Sequence, residues 1–226
     1  MFSDKNRKKK AIKIEAILKD YLGRDVENYH ILDLGCGSGK IGQYFSNKNE
    51  VGYADVSDER ESKGGRFYKI QSHEIGCGDK EFDIVISNMV IEHTGARRRH
   101  LSEIHRILKD DGVCYLGSPN RIFPIEPHYK IPFIHYLPAT LQVKALSCIN
   151  KVVKITTPIE EIYLPSYFYL KKIIKHGFCY REYTADVLVY PEKYLSEFQM
   201  LKFLPYGLVK NMVFMSPTNI FILWKK

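Results

Sequence analysis

The chain has 226 residues, 45% of them hydrophobic, enough for one well-buried α/β unit with an elaboration and too few for two ordinary domains. Its net charge of +8 points to a polyanionic partner or an anionic membrane surface, although much of the excess sits in Lys5, Arg7, Lys8, Lys9 and Lys10, a short basic start that reads as a solvated end. Cys36, Cys77, Cys114, Cys148 and Cys179 are odd in number and lack metal-ligand spacing, so they read as reduced thiols of a cytoplasmic-type compartment, with no structural zinc. No apolar run approaches the roughly 18 residues of a membrane span, and the expected protein is soluble or peripheral to a membrane.

Ile14, Ile17, Leu18, Tyr21 and Leu22 recur at helical spacing and predict a first amphipathic helix that ends near Gly23 and covers one sheet face. Residues 1–24 are therefore assigned to this helix and residues 25–118 to a binding core. In the core, apolar runs at 30–34, 51–55, 67–71, 82–87 and 113–117 alternate with helical or turn-rich stretches, the pattern of a parallel sheet covered on both faces. Leu101, Ile104, Ile107 and Leu108 predict a crossover helix between Ala96 and Lys109, stopped by Asp110-Asp111-Gly112. From 119 to 165 seven prolines interrupt every period except a short helix between Ala139 and Val153, and the segment reads as an inserted lid. Residues 166–226 complete the sheet with a helix from Tyr167 to His176, a strand from Phe178 to Tyr183 and a final strand from Asn219 to Trp224.

Ile31-Leu32-Asp33-Leu34 runs into Gly35-Cys36-Gly37-Ser38-Gly39, with Ile41, Tyr44 and Phe45 on the helix beyond. Such a strand, tight turn and helix offers free backbone N–H groups and a positive helix end to a close ligand. A phosphate loop would need Gly at Leu34 and Ser or Thr at Ile41; a dinucleotide turn would need Gly or Ala at Lys40. A glycine turn that merely reverses the chain is the alternative. Asp33 suits an ammonium or sulfonium rather than a pyrophosphate, and Asp55 can accept both hydroxyl hydrogens of a ribose or, alternatively, cap a helix together with Ser57.

The run from Ile31 to Gly39, Asp55, the stretch Phe82-Asp83-Ile84-Val85-Ile86-Ser87-Asn88, then Val90-Ile91-Glu92-His93 and the segment from Glu103 to Gly112 resemble successive motifs of class I S-adenosylmethionine-dependent methyltransferases. The resemblance covers about the first 120 residues. It implies an α/β, Rossmann-like class I methyltransferase fold with a seven-stranded, mostly parallel sheet, its last strand antiparallel, helices on both faces and S-adenosyl-L-methionine across the strand carboxyl ends. By position, Gly35, Gly37 and Gly39, with Cys36 between them, would line the amino-acid end of the cofactor, Asp33 its amino group, and Asp55 and Val56 its ribose. By the same resemblance Ser87 and Asn88, at the fourth strand, would also contact the cofactor. Gln71, followed by Ser72, stands where an acidic residue often addresses adenine; the alternative for that segment is a surface loop.

The acceptor is the less determined half. Arg121 to His128, followed by His135 and Tyr136, resembles a Pro- and His-containing stretch of methyltransferases associated with surface-glycan and lipopolysaccharide-type biosynthesis. This likeness implies O-methylation of a sugar hydroxyl on a glycan or lipid-linked saccharide, with His128 as base, Glu126 as its orienter, and Arg121, His135 and Tyr136 as substrate contacts. His93 is a competing base, and a proline-stiffened loop whose polar groups satisfy backbone is the alternative to catalysis. The lysines beside the apolar stripe of 139–153 suggest peripheral membrane contact or, alternatively, packing over the site. A small phenol or quinone-type acceptor remains open, as does a non-catalytic cofactor-binding subunit. Nucleic acid is disfavoured because Ser87-Asn88-Met89-Val90 is not the Asn/Asp-Pro-Pro-aromatic site of amino-methylating enzymes.

Overall fold

A computed structural model describes residues 4–127, 129–151, 163–196 and 201–226, with side chains from Asn6 onward. The first helix, α1 (Asp4–Leu22), buries Ala11, Ile14, Ile17 and Leu18, and Gly23 at φ 67° ends it where the apolar stripe predicts. The basic start is thus part of a helix and not a loose end: Arg7 and Lys10 lie one turn before Ala11 and Ile14 and continue its inward stripe.

The core elements follow as β1 (His30–Leu34), α2 (Lys40–Phe45), β2 (Glu50–Asp55), β3 (Phe67–Gln71), β4 (Glu74–Ile75), β5 (Phe82–Asn88), α3 (Arg97–Ile107) and β6 (Leu108–Pro119). The remainder supplies α4 (Ala139–Asn150), α5 (Tyr167–Ile174), β7 (Phe178–Glu182), α6 (Thr184–Val189), α7 (Tyr206–Met212) and β8 (Thr218–Lys225). Among the described residues the sheet has eight strands, in the order β4-β3-β2-β1-β5-β6-β8-β7, rather than seven. The additional strand is β4, folded back on β3 through Ser72 and His73, both at positive φ, which is the backbone of a tight two-residue hairpin. Strands β3, β2, β1, β5 and β6 pair in parallel, and β8 enters antiparallel between β6 and β7, as expected for the last strand.

Both faces are covered. Ile31, Val51, Ile84, Val113, Ile220 and Ile222 pack with α1 and α2 on one side; Leu32, Val85, Cys114, Phe221 and Leu223 pack with α3 and α5 on the other. Each such aliphatic side chain contributes about 1.5–3 kcal/mol by leaving water. The crossover helix stops earlier than predicted, at Ile107, because Leu108 is fully buried opposite Phe82 and already belongs to β6. The Asp110-Asp111-Gly112 stretch is taken up as an irregularity in the β5–β6 register.

Chain order reverses between β1 and β5: from β1 the strands run outward to β2 and β3, from β5 outward to β6. Open α/β sheets leave a crevice at the carboxyl ends of such a pair. After β6 the chain makes an isolated bridge between Ile125 and Pro132, a 3-10 turn at Ile134–Tyr136 and then α4. Ile134, Leu146 and Leu164 form a small satellite core there. His128 lies outside the described residues, as do Val152, Val153, Lys154 and Pro158.

Candidate functional site

A cavity of about 440 Å³ fills the β1–β5 crevice, lined by Asp33 of β1, Gly35, Cys36 and Gly37 of the glycine loop, Ile41 of α2, Asn88 at the end of β5 with Met89, Glu92 and His93 beyond it, and Pro119 at the end of β6 with Pro127 beyond it. Arg7 and Lys10 of α1 complete the wall.

The loop's geometry corrects one sequence expectation. Most of its N–H groups are already engaged: those of Gly35 and Cys36 donate to the Ala54 carbonyl at 2.7 and 3.2 Å, Gly39 donates to Cys36 at 2.8 Å, and Gly37 donates to Asp55 Oδ2 at 2.8 Å. What its glycines supply is therefore close packing and, at Gly37, open space. Gly35, at φ 70°, could not carry one, since a Cβ there would lie 2.4 Å from Val90 Cγ2. A Cβ on Gly37, at φ 49°, would meet only Arg7 Nη1 at 3.7 Å, so that position opens toward the cavity's basic wall. Gly39 turns the other way and packs on the Arg60 side chain, whose guanidinium is sandwiched between Tyr53 and Phe67.

Asp33 is 3% exposed, and its Oδ2 accepts the Gly42 N–H at 2.8 Å, capping α2 from the end of β1. Burial pushes its carboxyl up to about 6, against the lowering effects of that N–H and of the Arg7 charge. Burial likewise pulls the Lys10 ammonium down, helped by Arg7 and opposed by Glu92. The wall thus brings together two acidic and two basic side chains. Burial also raises the Cys36 thiol to about 12, which keeps it protonated and makes it a packing group rather than a nucleophile. Asp55 accepts Gly37 N on one oxygen and its own neighbour Val56 N on the other, at 2.7 Å. No helix begins at Ser57, so Asp55 is not a cap; its remaining lone pairs lie beside the loop.

Other predicted residues fall elsewhere. Val56 is exposed beyond β2, and Gln71 and Ser72 belong to the exposed β3–β4 hairpin, outside the cavity lining. Ser87 is fully buried beneath the wall, its hydroxyl 3.1 Å from His100 Nε2, and burial holds that imidazole neutral, down to about 4. Glu126 is fully buried, with Oε2 accepting the Tyr129 N–H at 2.6 Å. The buried His135 donates from Nε2 to the Arg121 carbonyl at 2.9 Å, and the Tyr136 hydroxyl donates to the Ile122 carbonyl at 2.6 Å. These groups hold the backbone of the segment after β6. Sequence reasoning missed Arg7, Lys10, Ile41, Met89, Pro119 and Pro127; the helical spacing of Arg7 and Lys10 with Ala11 and Ile14 was the available signal.

The core that builds this cavity is a known one. Residues 32–116 match the methyltransferase domain family. That domain is 22% identical over 121 residues to the ubiquinone biosynthesis O-methyltransferase of Pelagibacter ubique, covering 47% of this chain and 50% of that protein. It is 37% identical over 98 residues to a human mitochondrial arginine hydroxylase, covering 38% of this chain and 27% of that one. The chain spans half or less of the length of these curated relatives. Among solved structures, the plantazolicin methyltransferase BpumL, crystallised with S-adenosylhomocysteine, superposes with a TM-score of 0.59 at 13% identity over all of this chain and 86% of its own. The shared fold is Rossmann-like.

Proposed function

We propose that this chain is an S-adenosylmethionine-dependent methyltransferase whose donor sits in the β1–β5 cavity. The observation that carries this reading is the pairing of Asp33 and Glu92 with Arg7 and Lys10 around a loop whose Gly37 leaves open space toward that wall. An α-amino acid end is zwitterionic; its ammonium suits the two carboxylates and its carboxylate the two cations. Asp55, beside Gly37, accepts ribose hydroxyls. When bound, the cofactor supplies a sulfonium-activated methyl group.

The chain's part in transfer is to align an acceptor oxygen with that methyl, exclude water and take the proton the oxygen loses. Alignment is worth roughly 7–11 kcal/mol of barrier, and a positioned base about 10²- to 10⁴-fold in rate. His93 stands on the cavity wall at its exposed rim, and His128, one residue beyond the wall residue Pro127, is the other base in this reading. The acceptor we propose is a hydroxyl, most specifically that of a sugar on a glycan or lipid-linked saccharide, a reading supported by the sequence likeness of 121–136. The Pelagibacter relative is an O-methyltransferase of ubiquinone biosynthesis, which favours a phenol or quinone-type acceptor as the second reading. The likeness to an arginine hydroxylase supports a third, cofactor binding without methyl transfer, since a fold does not fix its chemistry.

Incubation with methyl-labelled S-adenosylmethionine and separate panels of glycans, phenolic quinone precursors and nucleic acids tests these readings. Label in a glycan fraction is the expected result; label confined to a phenol selects the second reading, and binding without label in any panel selects the third. Turnover of His93→Gln and His128→Gln, measured apart from cofactor affinity, assigns the base; full activity in both removes a histidine base from the mechanism.

A further inference from the structure

Residues 56–66, between β2 and β3, form neither helix nor strand, and every one of them is exposed except Arg60. Arginine is among the residues least often fully buried, yet Arg60 is only 6% exposed. Its Nε and Nη2 donate to the two Asp58 carboxylate oxygens at 2.9 Å each, and Nη1 donates to the carbonyls of Gly64 and Gly65 at 2.9 and 3.2 Å. The guanidinium carbon lies over the rings of Tyr53 and Phe67, 4.7 and 5.2 Å from their centroids. Both ends of an exposed, irregular connection are thus tied to one planar group. The same side chain lies against the glycine loop. A Cβ on Gly39, itself at φ 75°, would stand 3.0 Å from Arg60 Cγ, the Glu61 N–H donates to the Ser38 carbonyl at 3.3 Å, and Lys40 pairs with Glu61 at 3.0 Å. Tyr53 carries the contact on to α2: a Cβ on Gly42, whose N–H is accepted by Asp33, would lie 2.5 Å from the tyrosine ring. Arg60 is not among the residues that line the cavity, so it reaches a ligand there only through these neighbours.

We propose that Arg60 is a positioning residue, a buttress that holds Ser38 and Gly39 in place so that the Gly37 N–H stays on Asp55 before a ligand enters. In taking that ligand to be the adenosyl cofactor, this rests on the function proposed above. Stability alone does not call for an arginine here. Burying a charge carries a desolvation cost, and an apolar side chain of similar length would fill the same place without it. What an apolar chain lacks is the planar fork, which fixes Asp58, Gly64 and Gly65 together while its stem meets Gly39. A lysine, with one ammonium, has the charge but not that geometry.

Amide hydrogen exchange at Gly37 and Gly39 in the ligand-free full chain, followed by nuclear magnetic resonance, tests the buttress without reference to any cofactor. Arg60→Met keeps the stem against Gly39 and removes the fork; both amides should exchange about 10-fold faster, with those of Val85 and Ile86 in the central strand unchanged. Arg60→Lys should behave like Arg60→Met. Asp58→Asn, altered on the exposed side of the pair, should give about a 3-fold rise and carries the test should the Arg60 variants not fold. S-adenosylhomocysteine affinity then separates positioning from a merely structural role. Arg60→Met should weaken binding about 10-fold in the native chain and less than about 2-fold in an Asp55→Asn background, because the effect passes through Asp55. Equal losses in the two backgrounds, or wild-type exchange at Gly37 in all three variants, would overturn the proposal. Faster exchange at Gly37 in a chain that binds no S-adenosylhomocysteine removes the cofactor reading and leaves the buttress; binding by the native chain with unchanged exchange in the variants does the reverse.

Discussion

The glycine loop and the segment after β6 meet at one sheet edge but are held in opposite ways. In the loop, backbone binds backbone: Gly35, Cys36 and Gly39 donate to main-chain carbonyls, Gly37 donates to Asp55, and the carboxylates of Asp33 and Asp55 fix the two ends. Gly37 leaves open space toward the cavity's basic wall. After β6, side chains bind backbone. Asn120 uses its whole amide, donating to Phe214 and Ser216 and accepting from Ile122 and Tyr167, while Glu126, His135 and Tyr136 each hold a neighbouring peptide group. The first region holds itself and leaves space; the second spends its polar groups on its own shape. Residue type alone does not separate a polar side chain that faces a substrate from one that satisfies a peptide group.

The largest effect should come from filling the space in the first region. Gly35→Ala combines a clash with Val90 and a Cβ at positive φ, an expected loss of about 3–4 kcal/mol of stability by denaturant titration. In the second region, Asn120→Ala leaves several buried peptide groups without partners and should cost about 3 kcal/mol. It should also raise the acceptor KM more than the cofactor Kd; an equal rise in both would erase the contrast between the regions. Asp33 couples stability to pH. Its folded carboxyl titrates at about 6 against an ordinary 3.8, so the folded state holds the extra proton between those values. Stability of the ligand-free protein should fall as pH rises through that window, by about 3 kcal/mol, and the loss is complete above 6. Asp33→Asn should flatten that dependence while weakening cofactor binding about 30-fold or more. Arg7→Gln and Lys10→Gln should each weaken cofactor binding about 10-fold and leave the melting temperature nearly unchanged. A large drop in melting temperature instead would make them structural.

The core was legible because its signals are local and repeated. Apolar runs of strand length, the 101/104/107 stripe and the Asp33-to-Gly39 turn each name one element, and tertiary packing agreed with them. The eighth strand escaped because it is two residues long and depends on Ser72 and His73 adopting positive φ, a conformation their residue types do not announce. The end of α3 was misplaced because Leu108 fits a helix stripe as well as it fits the sheet position opposite Phe82. In the site, Asp33, Gly35, Gly37, Asn88 and His93 were readable from the motifs that hold them, whereas Arg7 and Lys10 were set aside as a charged end although they extend the buried stripe of α1. Ser87, Glu126 and His135 were read as ligand-facing groups, and burial turned each toward protein.

A zwitterionic adenosyl cofactor held in the β1–β5 cavity by Asp33 and Arg7 must feel the protonation of Asp33. Isothermal titration of S-adenosylhomocysteine into the full chain, above and below pH 6, measures it most directly. Binding should weaken as pH falls through about 6, with uptake of a proton by Asp33 in the free protein and its release on binding, and the pH dependence should be lost in Asp33→Asn. Absence of binding at every pH, or binding whose pH profile is the same in wild type and Asp33→Asn, would contradict it.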